Sequence, residues 1–202
     1  MDHHELSPKE KWDGRYGAAG YEPDKSPVPF LADAIVAIPP GRALCLAAGC
    51  GRNAVYLAQC GFEVTAVDVS SRGLDRCQEL ADDLGVQVDT VTADLLSYDM
   101  ARETFDLITD FYYYEPELFA PIKEAVKPGG YFLLQTFSIH HRRAGRTRGP
   151  QSARHLADPS LVLEAFRDWR IHLFGDLDVV QSGDDGDRTD SLVRLLAQKP
   201  AD

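Results

Sequence analysis

Residues 44–54 read Leu-Cys-Leu-Ala-Ala-Gly-Cys-Gly-Arg-Asn-Ala. The apolar run followed by glycines predicts a buried strand, a tight turn and a helix, and the glycines allow the backbone to approach a ligand. The N–H groups of the first helical turn remain free to bind it. Asp68 ends the next apolar run, Phe62–Asp68, where a carboxylate accepts hydrogen bonds from both hydroxyls of a ribose. The pattern predicts a nucleoside-binding site, of the kind that holds either a dinucleotide or S-adenosylmethionine.

The glycine spacing alone does not choose between these two cofactors. Gly49–Ala54 fits the G-x-G-x-x-G/A pattern of dinucleotide-binding proteins. The same region fits the acidic-x-Gly-x-Gly-x-Gly pattern of methyltransferases, except that Cys45 replaces the acid and Ala47 replaces the first glycine. A nicotinamide enzyme usually begins its fold at this strand and adds a substrate domain. Here about 40 residues precede the strand and the sequence ends at residue 202, so the context favours S-adenosylmethionine.

A second motif lies in Val126–Leu134, which reads Val-Lys-Pro-Gly-Gly-Tyr-Phe-Leu-Leu. Here the sequence resembles the class I S-adenosylmethionine-dependent methyltransferases, in which a Lys/Arg-Pro-Gly-Gly turn opens the fifth strand. Three further segments resemble the small-molecule branch that contains the tellurite-resistance methyltransferases: Trp12–Tyr16, Gly51–Ala54 and the region around Arg148 and His155. The resemblance covers roughly residues 12–199. It implies a transferase that methylates a small molecule.

Apolar runs alternate with helical patterns along the chain in a β-α order, which is typical of a doubly wound α/β fold. Parallel crossovers are almost always right-handed, so helices should cover both faces of a mostly parallel, seven-stranded sheet. The last two strands should form an antiparallel hairpin, the closure of the Rossmann-like methyltransferase fold that the chain resembles. The predicted strands are Ala43–Ala48, Glu63–Val69, Gln87–Thr92, Phe105–Phe111, Tyr131–Phe137, part of Trp169–Val180, and Ser191–Gln198.

The predicted helices lie between these strands. One begins at Ser70 or Ser71 as its cap and stops at Gly85, with Leu74, Cys77, Leu80 and Leu84 on its buried face. Two others are expected at about Pro121–Lys127 and Ser160–Asp168. Residues 1–202 are predicted to be one methyltransferase domain, in which residues 1–26 form an N-terminal lid and residues 27–199 the catalytic core. Trp12, Tyr16 and Tyr21 are expected in the lid.

Composition and charge restrict the possible partners. The chain is 44% hydrophobic and 26% charged, with a net charge of −11, and a field of this sign would repel a nucleic acid. No apolar run approaches the length of a membrane span, and the polar start Met1–Glu5 is no signal peptide, so a cytoplasmic protein is expected. The four cysteines form no C-x-x-C pair, so no metal site is expected. Cys50 is either a small spacer or a reactive thiol. The oligomeric state stays open.

The carboxyl ends of the strands should form the cofactor site. The methionine portion would pass Ala48 and Gly49, and Asp68 would bind the ribose. Asp94 and Leu95 would contact the adenine, with a plain turn residue as the alternative for Asp94. The full predicted set of cofactor-binding residues is Tyr16, Ala48, Gly49, Gly51, Asn53, Asp68, Val69, Asp94, Leu95, Asp110 and Phe111.

The acceptor side is less defined. The fourth predicted strand ends in Thr109–Pro116, which is rich in aromatic residues but lacks the paired prolines of nucleic-acid amino-methyltransferases. The loop His140–Pro150 carries four arginines, which form either an anion clamp or a solvated loop. Its paired histidines, His140 and His141, are expected to be exposed, with a catalytic role at the mouth of the pocket as the alternative. The predicted catalytic residues are Arg148, which the resemblance favours, with His155 and Tyr114.

The predicted reaction is methyl transfer from S-adenosylmethionine to a small molecule, and the expected acceptor is an anion, a thiol or a chalcogen oxyanion. A thiolate or chalcogen anion needs no general base, whereas an alcohol or an amine normally needs one. Two alternatives stay open. Cys45 and Ala47 are compatible with a non-catalytic, S-adenosylmethionine-binding regulatory domain, and the glycine spacing is compatible with a NAD-dependent oxidoreductase.

Overall fold

A computed structural model describes residues 6–146, 149–150, 152–181 and 187–201. The chain divides into two compact units, Met1–Asp99 and Met100–Asp202, here called the first and second units. No helix in the described part of the chain is long and apolar enough to cross a membrane. The single catalytic domain with a lid over residues 1–26 and a core over residues 27–199 stays a prediction.

The first unit is a parallel β-α arrangement in which β2 lies between β1 and β3. Leu46 of β1 pairs with Val67 of β2, and Asp68 of β2 pairs with Thr92 of β3, so the carboxyl ends of the strands lie side by side. The elements are α1 (Pro8–Tyr16), α2 (Pro29–Ile35), β1 (Arg42–Leu46), α3 (Arg52–Gln59), β2 (Glu63–Asp68), α4 (Ser71–Asp83) and β3 (Asp89–Thr92).

The helix α4 shows how local sequence sets these bounds. The Ser70 side chain caps it by accepting a hydrogen bond from the N–H of Gly73. Leu74, Cys77 and Leu80 face the core, as their spacing predicts. The prediction for Leu84 is wrong, because this residue follows the last helical turn and is 47% exposed.

The second unit contains the two remaining parallel strands and the predicted hairpin. β4 pairs with β5 in parallel, and β7 pairs with both β5 and β6 in antiparallel register. The strand order is β4-β5-β7-β6. The elements are β4 (Phe105–Phe111), α5 (Phe119–Ala125), β5 (Val126–Phe137), α6 (Ile139–Arg143), α7 (Pro159–Ala165), β6 (Arg170–Gln181) and β7 (Arg188–Gln198).

The Lys-Pro-Gly-Gly motif does not form a turn in front of the fifth strand as expected. Helix α5 ends at Ala125, not near Lys127, and β5 already begins at Val126. The register with β4 jumps at this point, so the motif forms a bulge inside the strand. Gly129 supports the bulge with a left-handed φ of +78°.

Aromatic packing forms the core of the second unit. Phe132 of β5 stacks on Phe166 with ring centres 5.0 Å apart, and Phe119 of α5 meets the same ring edge-on at 5.3 Å. Trp169 packs edge-on against it from the start of β6, also at 5.3 Å. These contacts hold α5 and the segment after α7 on the face of β5 that carries Phe132.

Candidate functional site

Asp68 is a buried carboxylate of the first unit that two backbone N–H groups hold in place. It ends β2 and is 6% exposed. Its Oδ2 accepts a hydrogen bond from the N–H of Gly49 at 2.8 Å, and its Oδ1 accepts one from the N–H of Ser70 at 2.8 Å. Burial raises the pKa of Asp68, while these two hydrogen bonds oppose the rise. Each oxygen retains a second lone pair, so the carboxylate is fixed in place and can still accept from a diol.

The turn between β1 and α3 brings its backbone close to neighbouring side chains. Ala47, Gly49 and Gly51 have left-handed φ values of +47°, +55° and +81°. A Cβ at Gly49 would lie 2.8 Å from the Tyr16 hydroxyl. A Cβ at Gly51 would overlap the Cys77 side chain. Glycine is therefore required at both positions, for backbone conformation and for space.

The N–H groups of this turn have defined partners. Ala48 donates to the Val67 carbonyl at 3.0 Å, and Gly51 donates to the Ala48 carbonyl at 3.0 Å. Burial raises the pKa of the Cys50 thiol to about 11, so Cys50 is protonated at neutral pH. The protonated thiol agrees with the interpretation of Cys50 as a small spacer.

Tyr16 lies against this turn from α1. Its ring stacks on Trp12 with centres 5.4 Å apart and lies 5.7 Å from that of Tyr21. Burial and the nearby charge of Asp68 raise the pKa of Tyr16, so the hydroxyl is a hydrogen-bond donor at neutral pH. The aromatic residues predicted for the lid therefore form one cluster, which reaches the glycine turn through Tyr16.

Four other predicted cofactor residues lie in the first unit. Asn53 accepts a hydrogen bond from the N–H of Val28 at 2.9 Å, so its side chain holds the segment before α2. Val69 is half-buried and directly follows Asp68. Asp94 is exposed and accepts from the N–H of Leu96 at 3.0 Å, the hydrogen bond of a turn residue, while Leu95 is buried.

The second unit contains a different kind of polar group. Asp110, in β4, is 3% exposed and its Oδ1 has no partner. Burial raises the pKa of Asp110 well above the ordinary value, against one hydrogen bond from the N–H of Tyr113. Tyr114 Oη and Thr136 Oγ1 are also buried without a well-formed hydrogen bond. The backbone of Asp158 lies close enough to Tyr114 Oη to oppose the rise that burial causes in the pKa of Tyr114. Because Asp110 pairs with Leu134, two residues before Thr136, Asp110 and Thr136 lie on the same face of the sheet.

The remaining predictions for the second unit have mixed outcomes. Phe111 is 9% exposed and ends β4. His155 is exposed in a short 3₁₀ helix, and Arg148 lies outside the described residues. The expectation of two exposed histidines after β5 is wrong for His141, which is fully buried in α6.

His141 is buried because it belongs to a polar network that the sequence pattern does not reveal. His141 Nδ1 accepts a hydrogen bond from the N–H of Ser191 at 3.1 Å, and the ring packs edge-on against Phe137. Arg146 donates from both terminal nitrogens to Asp178, at 2.8 Å each, and also to the Ser191 hydroxyl. One of the four arginines of this segment is therefore engaged with β6 and β7.

Comparison with known proteins places this geometry in context. Residues 43–130 match the family model of the methyltransferase domain. No curated protein matches the chain in sequence. The matched segment spans the strand, turn and carboxylate described above.

Solved structures share the fold along most of the chain. One solved structure concerns the conversion of a disulfide bond into a thioacetal group during echinomycin biosynthesis. Its chain is 17% identical to this one, with a TM-score of 0.75 over 96% of this chain and 92% of that one. TehB from Haemophilus influenzae is 19% identical, with a TM-score of 0.71 over 95% of this chain and 66% of TehB. An S-adenosylmethionine-dependent methyltransferase from Mesorhizobium loti is 20% identical, with a TM-score of 0.64 over 85% and 96%. These likenesses confirm the predicted Rossmann-like methyltransferase fold.

Proposed function

We propose that this chain, which carries a methyltransferase domain at residues 43–130, transfers the methyl group of S-adenosylmethionine to a small molecule. S-adenosylmethionine is the cofactor that this domain and the similar structures imply, and it is the cofactor predicted from the sequence. The single observation that carries the proposal is the buried Asp68 carboxylate, which two backbone N–H groups fix beside the glycine turn.

The first unit fits the adenosyl and methionine portions of this cofactor. Asp68 accepts from the ribose hydroxyls, and the glycines of the turn allow the backbone to approach the methionine portion. Tyr16 covers the turn and keeps water away from it. When bound, S-adenosylmethionine supplies a methyl carbon that is activated by a positively charged sulfur. The protein residues gain most by holding the reacting atoms in line in a dry site.

The second unit supports a polar acceptor. The hydroxyls of Tyr114 and Thr136 are hydrogen-bond donors, and burial raises the pKa of the Asp110 carboxyl well above its ordinary value. Each of the three groups has a buried oxygen without a partner among the described residues. Burying such groups without partners is costly, which favours a role in binding. Donors of this kind suit an anion or a lone-pair-rich atom. We therefore favour an anionic oxygen, sulfur or chalcogen compound over an amine.

The predicted roles of Arg148 and His155 belong to the same proposal. Arg148 would clamp an anionic acceptor by bidentate hydrogen bonds, and His155 would be its neighbour. The net charge of −11 favours a small molecule over a nucleic acid as the partner.

Label transfer tests the proposal. S-adenosylmethionine labelled in its methyl group is incubated with a thiol, a carboxylated phenol and a tellurium oxyanion, and the label is followed into product. We expect transfer to at least one acceptor, and we expect Arg148→Ala to raise KM for anionic acceptors while cofactor affinity stays the same. Equal losses for anionic and neutral acceptors would contradict the role of Arg148.

A second candidate is a regulatory domain that binds the cofactor without turning it over. The observation that favours it is Ala47, which occupies a left-handed conformation where the methyltransferase pattern has glycine. Binding of S-adenosylmethionine without label transfer to any acceptor of the panel would support this candidate. Binding of NAD in place of S-adenosylmethionine would instead support an oxidoreductase.

A further inference from the structure

The helix α1 is attached to the start of α4 by the carboxylate of Asp13 and by a longer hydrogen bond from Lys9 Nζ to Ser71 Oγ at 3.4 Å. Asp13 Oδ1 accepts a hydrogen bond from the Ser70 hydroxyl at 2.6 Å and one from the N–H of Arg72 at 3.3 Å. Asp13 Oδ2 accepts from Lys9 Nζ at 2.6 Å. These hydrogen bonds hold the pKa of Asp13 down to about 2, so the carboxylate is charged across the physiological range.

Ser70 connects this attachment to the proposed ribose site. Its backbone N–H donates to Asp68 Oδ1 at 2.8 Å, while its hydroxyl donates to Asp13 and accepts from the N–H of Gly73. Ser70 is fully buried. The same residue therefore fixes the carboxylate proposed to bind ribose and the helix that carries Tyr16.

Tyr16 follows Asp13 by three residues, so both side chains lie on one face of α1. A Cβ at Gly73 would lie 2.9 Å from the Tyr16 ring, and a Cβ at Gly49 would lie 2.8 Å from its hydroxyl. Two glycines of different elements thus leave the space in which Tyr16 is seated. A small rotation of α1 would displace this ring from both of them.

Cation–π contacts connect Tyr21 with both α1 and α4. The Arg15 guanidinium lies over the Trp12 ring at 5.4 Å and near Tyr21 at 6.0 Å. Arg76 of α4 lies 5.6 Å from the Tyr21 ring and donates to the Tyr21 carbonyl at 3.2 Å. Cation–π contacts tolerate a range of ring orientations, whereas a hydrogen bond requires a narrow range of angles. The Asp13–Ser70 hydrogen bond therefore fixes one register of α1 on α4.

We propose that Asp13 is a positioning residue that couples the docking of α1 to the cofactor site, so that Tyr16 closes over the cofactor held by Asp68. The inference rests on the proposed function. Asp13 acts through Ser70 and Tyr16 and does not itself contact the cofactor. A change that loosens α1 should therefore weaken cofactor binding, and bound cofactor should slow amide exchange in α1.

Hydrogen exchange and calorimetry test this inference on the full chain. Asp13→Ala should raise the exchange rate of the α1 amides in the absence of ligand at least tenfold, and it should weaken S-adenosylhomocysteine binding at least fivefold. Asp13→Asn retains an acceptor oxygen and should lie between Ala and the wild type. Glu10→Gln is the matched control, because Glu10 is an acidic residue of α1 whose side-chain hydrogen bonds are to Ser7 in its own cap. It should change neither quantity more than twofold.

A double-mutant cycle separates positioning from a structural role. Because Asp13 acts in part through Tyr16, Asp13→Ala should cost less affinity in a Tyr16→Ala background than in the wild type, and the remaining loss measures the route through Ser70 to Asp68. Unchanged α1 exchange in Asp13→Ala would overturn the docking role. Looser α1 with unchanged affinity for S-adenosylhomocysteine would overturn the coupling while leaving the proposed function intact. Failure of the wild type to bind S-adenosylhomocysteine would overturn the proposed function, and the coupling with it.

Discussion

Two buried carboxyl groups near the ends of strands show how differently the two units use the same side chain. Asp68 in the first unit has both oxygens occupied by backbone N–H groups, and its position is fixed by the turn and by α4. Asp110 in the second unit is buried to a similar degree, yet one of its oxygens has no partner. Burial raises both pKa values, and for Asp110 it does so much more strongly.

These two carboxyl groups indicate which ligand groups each unit can recognise. A carboxylate that keeps spare lone pairs beside two N–H groups is an acceptor for ligand hydroxyls. A buried carboxyl with a raised pKa, together with the buried hydroxyls of Tyr114 and Thr136, forms a polar set that has unpaired atoms among the described residues. We expect the first unit to tolerate few changes at its site, and the second unit to gain stability when its polar groups are removed.

The largest expected change in stability concerns the glycine turn of the first unit. Gly51→Ala places a methyl group against Cys77 in a left-handed conformation, and it should lower the free energy of unfolding by about 3 kcal/mol. Gly85→Ala is the control, because Gly85 has a φ of +66° but nothing within 4 Å of a Cβ, and it should cost about 1 kcal/mol. Chemical denaturation measures both. Equal losses would show that packing against Cys77 contributes nothing.

The second prediction concerns the carboxyl of the second unit. A folded pKa above the unfolded value means that the folded state holds its proton longer, so stability falls as pH rises from about 4 to the raised pKa of Asp110. Asp110→Asn should remove a slope of up to about 1.4 kcal/mol per pH unit. The control is Asp83→Asn, whose side chain is 69% exposed. An unchanged slope in the Asp110 variant would mean that Asp110 is ionised in the folded protein.

A smaller change in stability is expected at Ala47 in the same glycine turn. Ala47 has a φ of +47°, which costs an alanine about 1 kcal/mol, so Ala47→Gly should stabilise the protein by roughly 0.5 kcal/mol after the greater flexibility of glycine is included. Ala48→Gly, at a neighbouring position without a left-handed φ, should instead destabilise it by a similar amount. Thermal denaturation at matched pH distinguishes the two signs. Destabilisation by both would remove the evidence for strain at Ala47.

The smallest effect is expected at Cys50. With a thiol pKa of about 11, only about one molecule in 10,000 carries the thiolate at pH 7, so Cys50 should react slowly with iodoacetamide. Cys50→Ala should change S-adenosylhomocysteine affinity less than twofold. Rapid alkylation that the bound ligand blocks would instead assign a reactive role to this thiol.

Sequence reasoning succeeds where local chemistry decides the structure. The spacing of Gly49 and Gly51 and the apolar run before Asp68 are enough to predict the strand, turn and helix, because backbone conformation and burial are both encoded there. The capping of α4 by Ser70 is predicted for the same reason. The two antiparallel strands at the end follow from the resemblance and agree with the observed pairing of β6 and β7.

Sequence reasoning fails where a side chain takes a partner distant in the chain. Asn53 binds Val28, 25 residues earlier, and His141 binds Ser191, 50 residues later. Neither partner carries a pattern that indicates the contact. Asp13 is missed as a positioning residue for the same reason, although it lies inside the quoted Trp12–Tyr16 motif and this motif is the one signal that could have found it.

Calorimetry of S-adenosylhomocysteine with the wild type and Asp68→Ala tests the central claim most directly. The wild type should bind, and Asp68→Ala should weaken binding by about 2 kcal/mol, or about 30-fold, because hydrogen bonds from two ribose hydroxyls to a charged acceptor are lost. NAD should not bind, and Asp83→Ala should leave the affinity unchanged. Wild-type affinity in a folded Asp68→Ala variant would contradict the assignment of this turn as the S-adenosylmethionine site.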